Sequence, residues 1–361
     1  MKTQIGNIQI HTVTLPGGVV HETVAAAFHQ LEQSDPQLGI AWLNNLSQYA
    51  LKEQETAQLI VAHKSDGAFV ACPIKISSTG RAAEALTTFY SSLYEPAVVV
   101  TESAPLFQAI FTHLRLEHGI GSLSLAPMDP KGPLFGQIRS AISRSGWRGC
   151  HDYFCFGNWF VDTGTGSFRS YLSARSSQLQ NTLLRRTRGF LRNGRGKLTL
   201  VDTASELEQG IADFVEVYNS SWKKPEPFPE FIPNLIRVAA DRGWLRLGVA
   251  RYDDEAIAAQ IWFVTGETAY IYKLAYREEQ AALSPGTVLT GFLMEHAIDR
   301  DRVSRIDYLS GDDTYKRDWM TERRERRGIA AYNPKHPSGA LQLGVHQAKR
   351  LIKALAPQTH S

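Results

Sequence analysis

The chain has 361 residues, of which 43% are hydrophobic and 21% charged, with a formal net charge of +3. That length exceeds one ordinary core and favours two compact domains, and the composition excludes a disordered or fibrous chain. The small net charge excludes a protein that binds polyanions through its overall charge, so only local clusters matter.

After a short extended start, a helix is predicted over residues 41–55 and strands over 58–63 and 68–76. Asp66-Gly67 in the linker Lys64-Ser65-Asp66-Gly67 is a strong hairpin signal between two apolar runs. Another extended pair is expected at 85–90 and 97–101. Phe107, Ile110, Phe111 and Leu114 then share one face of a helix over 105–117. A strand at 123–125, a helix at 132–145 and an extended piece at 153–161 complete the first half.

The second half repeats this order. A helix over 167–193 leads to a strand at 197–201, then to a helix over 205–221 that starts on Ser205 with acids in its first turn. A helix over 229–242 precedes strands at 245–252 and 256–265, turned by Asp253-Asp254-Glu255, and a strand at 268–276. The next helix, 287–299, carries the apolar stripe Val288, Leu289, Phe292, Leu293, His296 and Ala297. A strand at 305–309 closes the sheet, and a helix is expected from 314.

Ser284-Pro285-Gly286-Thr287 stands at the start of the 287–299 helix. Backbone N–H groups are free at such a positive helix end, which suits a phosphate and suggests a nucleotide-like cofactor.

Gly243-Trp244-Leu245-Arg246-Leu247-Gly248, Ile257-Ala258-Ala259-Gln260-Ile261-Trp262, Tyr272-Lys273-Leu274-Ala275-Tyr276 and Ser284-Pro285-Gly286-Thr287 make the chain resemble the GNAT acyltransferase superfamily. Ser220-Ser221-Trp222-Lys223 and Gly311-Asp312-Asp313-Thr314-Tyr315-Lys316 carry a narrower resemblance, to the acetyltransferase-like proteins associated with cellulose and exopolysaccharide synthesis, relatives of the Fem peptidyltransferases. The likeness covers residues 167–334 well and the first half in general layout. It implies an α+β fold of two tandem GNAT-like domains, each a mixed, mostly antiparallel sheet flanked by helices. The division expected is 1–162, 163–332 and a helical tail at 333–361.

The resemblance also implies acyl-CoA, such as acetyl-CoA, as co-substrate, held in a cleft where two adjacent strands splay apart. Pantetheine would pair with an exposed strand edge, matched here to residues 258–264 and so to Gln260, Ile261 and Trp262. The pyrophosphate would sit on Ser284, Pro285, Gly286 and Thr287. The usual turn in this superfamily carries an Arg or Gln, spacers and two close glycines, whereas here Gly286 stands alone.

Amide formation needs a neutral amine, a positioned carbonyl and an acid for the leaving group. Asp312 and Asp313 follow the last strand, where one could accept the amine proton; the plainer reading is that they cap the helix from 314. The resemblance gives Tyr315 the role of protonating a departing thiolate. Lys273 lies on the face opposite Tyr276, and either a substrate anion or a salt bridge would satisfy it. Trp222 and Glu226 lie between two predicted helices, in a region that closes over the acceptor in GNAT-like folds; Trp222 reads more readily as core, Glu226 as site. Lys316 is grouped with these substrate-side residues.

A Fem-like aminoacyl-tRNA transferase is the alternative, for which Arg185, Arg186, Arg188, Arg192, Arg195 and Lys197 could meet RNA. A solvated helix face is the favoured reading of that run, which lacks interleaved aromatics. A non-catalytic scaffold is the third reading.

Other motifs fail. Gly189–Gly194 is followed by Arg195 and is no Walker loop, and GxSxG, HExxH and GxGxxG are missing. Cys72, Cys150 and Cys155 form no CxxC pair, so reduced thiols are expected, and His151 beside Cys150 and Cys155 reads as structural, with no metal. The first residues lack a signal-peptide h-region, and no window reaches the ~18 apolar residues of a membrane span, so a soluble, cytoplasmic protein is expected. The mixed charges over 317–327 suggest an exposed, ion-paired helix face. Lys349, Arg350 and Lys353 beside Leu351, Ile352 and Leu355 make a basic amphipathic tail, which could touch a membrane-bound polysaccharide synthase complex; docking on its own protein is favoured.

Overall fold

Strands β1 (Lys2–Ile5) and β2 (Ile8–Leu15) open the chain as a hairpin turned at Gly6, whose φ of +61° costs a glycine little. The structure, a computed structural model, describes residues 2–100, 102–201 and 203–355. Thr101, the end of an expected strand, and the side chains of Lys353 and Leu355 lie outside the described residues.

Helices α1 (Glu22–Ser34) and α2 (Ile40–Tyr49) precede β3 (Thr56–His63) and β4 (Phe69–Ile76). Then come β5 (Ala82–Ala85), β6 (Ala97–Val99), α3 (Ala104–Leu116), β7 (Ser122–Met128), α4 (Pro133–Arg144) and β8 (Arg148–Asp162). Helices α5 (Phe168–Ser173) and α6 (Ser177–Leu191) lead to β9 (Gly196–Val201), α7 (Ala204–Asn219), α8 (Phe231–Asp241), β10 (Leu245–Tyr252), β11 (Glu255–Thr265) and β12 (Thr268–Tyr276). The chain ends through α9 (Pro285–Asp299), β13 (Arg305–Asp307), α10 (Lys316–Trp319), β14 (Glu322–Tyr332) and α11 (Pro337–Leu355).

Two compact units emerge, one of Met1–Glu32, Gln37–Phe156 and Glu325–Ser361, the other of Gln33–Pro36 and Gly157–Arg324. Residues 325–332, expected in the second half, and the tail thus fall in the first unit.

In the first unit the strand order is β1-β2-β3-β4-β5-β7-β14, antiparallel except for the parallel β5–β7 pair, with β6 on β4. Helix α3 buries Phe107, Ile110, Phe111 and Leu114 completely, as its 3.6-residue period requires. Each such side chain contributes about 1.5–3 kcal/mol by leaving water. Trp147 Nε1 donates to the Phe111 carbonyl at 3.0 Å, which satisfies its one polar group inside that core.

In the second unit the order is β8-β13-β12-β11-β10-β9; β12 and β13 are parallel and the other pairs antiparallel. Trp262, Leu289, Leu293, Phe190 and Ile306 form its core. Helices α6 and α9 approach closely because position 291 is glycine; a Cβ there would meet Leu183 Cδ1 at 2.5 Å.

The structure corrects several boundaries. The helix expected over 167–193 is two helices, since Ser176 Oγ accepts from the Leu179 amide at 3.2 Å and caps a fresh start. Residues 85–90 contain only the end of β5, and the helix expected over 41–55 stops at Tyr49. Helix α1 was not anticipated, although Val24, Ala27 and Phe28 bury one face of it. The charged run 317–327 is mostly strand β14, because alternating charges suit a period of two as well as a helix. Arg324 pairs with Asp307 and Arg326 with Asp129.

Candidate active site

Strand β12 pairs with β11 from Thr268↔Thr265 to Tyr276↔Ala258, but with β13 only from Thr268 to Tyr270. The cause is a buried polar network at the end of β13. Asn158 Nδ2 donates to Asp307 Oδ1 at 2.6 Å and to the Leu309 carbonyl at 2.8 Å, and the Leu309 amide donates back to Asp307 Oδ1 at 2.7 Å. Arg324 closes the network by donating to Asn158 Oδ1 at 2.6 Å and pairing with Asp307. These bonds hold Leu309 at φ +52° and turn the chain off the line of the strand. The β12 edge from Ile271 to Tyr276 is left with no strand partner on that side among the described residues.

This corrects the expected position of the open edge. Residues 258–264 lie in β11, which is paired on both sides by β10 and β12 apart from a bulge at Ile261/Trp262. The side chains of Gln260, Ile261 and Trp262 are buried in the core and cannot line a cleft.

Gln260 serves the neighbouring turn instead. Its Nε2 donates to the Gly286 carbonyl at 3.0 Å and to Thr290 Oγ1 at 2.9 Å, while its Oε1 accepts from Trp262 Nε1 at 2.9 Å. The start of α9 is therefore braced from below. Ser284, the N-cap, has φ +53° and makes no side-chain cap bond, and Pro285 has no N–H. Among the described residues no protein acceptor meets the amides of Gly286 and Thr287, both half-buried, and they lie at the positive end of a fifteen-residue helix. A Cβ at Gly286 would come within 3.2 Å of Tyr276 Cδ1, which places the ring of the last β12 residue directly against this turn.

Tyr276 in turn packs on Trp222, with ring centroids 4.5 Å apart. Trp222 is 49% exposed and is not a core residue, contrary to the reading favoured from sequence. The same segment brings in Glu226, which forms an ion pair with Lys273 of β12. The salt-bridge reading of Lys273 is thus the observed one, and its partner is a residue singled out for the site. Burial pushes the Lys273 ammonium down against that pairing, and Tyr218 is pushed up by burial and by Glu226. Lys223 Nζ lies 5.6 Å from the Tyr218 ring and 5.7 Å from Trp222. Burial pushes Lys223 down to about 8, and the Lys273 ammonium adds to the effect. No carboxylate comes within ion-pair distance of Lys223 among the described residues.

The loop after β13 supplies the remaining candidates. Asp312 accepts from Trp159 Nε1 at 2.6 Å and from Arg323 at 2.7–3.1 Å. These bonds hold its carboxyl down at about 2, which makes it a weak base. Asp313 is open to solvent, 3.6 Å from Lys316. Lys316 itself is buried, and its ammonium donates to the Ser310 carbonyl at 2.6 Å and to Gly311 at 3.3 Å, so it clamps the loop and does not face a ligand. Tyr315 is 42% exposed, stands edge-on to Tyr308 at 5.8 Å, and is pushed up to about 12 by burial and by Asp313. It keeps its proton at neutral pH.

The arginine run fares less well as a nucleic-acid surface. Arg195 and Lys197 are taken up by Asp253 and Asp254 at the β10–β11 turn, and Arg186 donates to the Ala282 carbonyl at 2.9 Å. Arg185, Arg188 and Arg192 are exposed.

Residues 177–317 match the family model of the acetyltransferase (GNAT) domain. That stretch, less than half of the chain, is similar to this domain. Solved structures are similar over most of the chain: FemX, at 9% identity and a TM-score of 0.57, with 93% of this chain and 100% of that one covered. A tandem GNAT protein from the clavulanic acid biosynthesis pathway matches at 10% identity and 0.52, with coverage of 89% and 98%. The DUF2156 C-terminal domain of a protein provisionally described as a lysylphosphatidylglycerol synthetase, from Agrobacterium fabrum, matches at 14% and 0.52, with coverage of 79% and 87%. At such identities these likenesses concern the fold alone. No curated protein sequence matches the chain.

Tyr218 and Lys223 were not assigned to the site from sequence, and on β12 Lys273 and Tyr276 were assigned as side chains while the open backbone edge 271–276 was not. Lys223 stood in a motif already singled out beside Trp222, and that placement was the available signal.

Proposed function

We propose that the protein is an N-acyltransferase that uses an acyl-CoA such as acetyl-CoA, with its cleft along the open edge of β12. The observation that supports this most is the meeting of that edge, at Tyr276, with the unbonded Gly286 and Thr287 amides. Amides at a positive helix end suit a diphosphate, and a free strand edge suits the amides of a pantetheine arm. The chain's donors thus fit the group.

When bound, acyl-CoA supplies an acyl carbon activated as a thioester. Tyr315, protonated at neutral pH, delivers its proton to the leaving sulfur. Asp313, exposed beside it in sequence, takes the proton released by the attacking amine, directly or through water. Trp222, Glu226, Lys273 and Tyr276 bound the acceptor side, and Lys316 holds the loop that carries Asp313 and Tyr315. An amine or amino-sugar acceptor in exopolysaccharide or cellulose synthesis rests on the family resemblance of the Trp222 and Tyr315 motifs.

Calorimetric titration with acetyl-CoA tests the reading, and no heat of binding by folded protein would end it. A Fem-like aminoacyl-tRNA transferase is the second reading, favoured by the exposed Arg185 and Arg188 of α6 and Arg192 just after it. It requires tRNA binding that weakens steeply with salt. If neither acetyl-CoA nor tRNA binds, a non-catalytic scaffold is the reading left.

A further inference from the structure

Helix α11 is nineteen residues long, yet it rests on the first unit through one narrow face. Gly339 lies against the carbonyls of Gly121 and Asn333, Leu343 against Gly149, and the His346 ring stacks on His151 with centroids 3.9 Å apart. The exposed side of the helix carries an apolar stripe as well as polar residues. Leu341 is 71% exposed, Val345 48% and Ile352 68%, and with exposed Ala348 they follow the spacing i, i+4, i+7, i+11, a single stripe of an α-helix. Leu351, 64% exposed, widens it.

The charge around this stripe has one sign. From Arg326 to Ser361 the sequence has no Asp or Glu, while Lys335, Lys349, Arg350 and Lys353 fall within it. Lys349 and Arg350 are exposed in the same turns as Val345 and Ile352. A helix meant only to dock on its own protein would turn its leucines inward. A partner helix or a second copy would need carboxylates facing this basic flank, and a second copy of α11 would bring more positive charge.

We propose that α11 is an interfacial anchor that lays its Leu341–Val345–Ala348–Ile352 stripe into an anionic lipid surface. The lysine and arginine side chains extend to the headgroup phosphates while the apolar stripe enters the acyl boundary. The helix lies on the surface and does not span it, as no helix of the described residues is long and apolar enough to cross a membrane.

Flotation of the full chain with vesicles tests the proposal. Binding is expected to phosphatidylcholine vesicles containing phosphatidylglycerol, to weaken with salt, and to be slight on phosphatidylcholine alone. Replacing the stripe, Leu341→Ser with Val345→Ser and Ile352→Ser, abolishes it while circular dichroism stays unchanged. Removing two charges, Lys349→Ala with Arg350→Ala, weakens it about thirtyfold, the value for two basic residues near an anionic surface. The proposal is overturned if the parent protein ignores anionic vesicles, or if the stripe variant floats as the parent does. It is equally overturned if the parent sediments as a dimer that the stripe variant dissociates, which would make the face an interface between copies.

Discussion

Gln260 Nε2 donates to the Gly286 carbonyl across 3.0 Å, and this buried bond ties the central strand β11 to the first turn of α9. A side chain with no access to solvent thereby braces the turn that carries the Gly286 and Thr287 amides. Gln260→Leu removes that donor and leaves Trp262 Nε1 without its acceptor. A loss of about 1–3 kcal/mol in stability is expected from the unsatisfied buried groups. Denaturant unfolding and acetyl-CoA titration read the two effects; unchanged acetyl-CoA affinity in the folded variant would detach the brace from function.

Gly286→Asp sets a carboxylate where the diphosphate is proposed to lie, and its Cβ meets the Tyr276 ring at 3.2 Å. The position is half-buried at a helix start, where an acid suits the dipole, so the domain stays folded. Affinity for acetyl-CoA should fall at least about tenfold, the lower range for a lost hydrogen bond to a charged group. Calorimetry that finds parental affinity would remove the pocket from this turn.

Tyr315→Phe should lower kcat by about a hundredfold or more, as for other lost general acids, with little change in KM. Asp312→Asn should cost far less, because Asp312 is already committed to Arg323 and Trp159. Steady-state kinetics of both variants decide between them, and equal losses would show that the loop's shape matters and not the phenol.

Lys223 loses its charge as pH rises through about 8, well below the ordinary lysine range. If the acceptor carries a phosphate or carboxylate, its KM should rise above that pH, since the ammonium that attracts it is neutralised. Lys223→Met should raise KM at lower pH and flatten the profile. A pH-independent KM for an anionic acceptor in the parent would show that Lys223 does not meet it.

The sequence alone determined the local pieces, because those follow from neighbours a few residues apart. Asp66-Gly67 turns β3 into β4, Asp253 and Asp254 both take positive φ between β10 and β11, the apolar period of α3 is buried as spaced, and Ser284-Pro285-Gly286 begins a helix. The mixed α/β, mostly antiparallel, GNAT-like fold was legible through such pieces and through the motifs between Gly243 and Lys316. What only the tertiary structure decided is which edge of the sheet opens and which polar groups remain uncommitted. Asn158 reaches Asp307, Trp159 reaches Asp312, and Glu226 reaches Lys273 across long stretches of chain. A carboxylate or an ammonium is available for chemistry only if no such distant partner has claimed it, and no spacing along the chain records that.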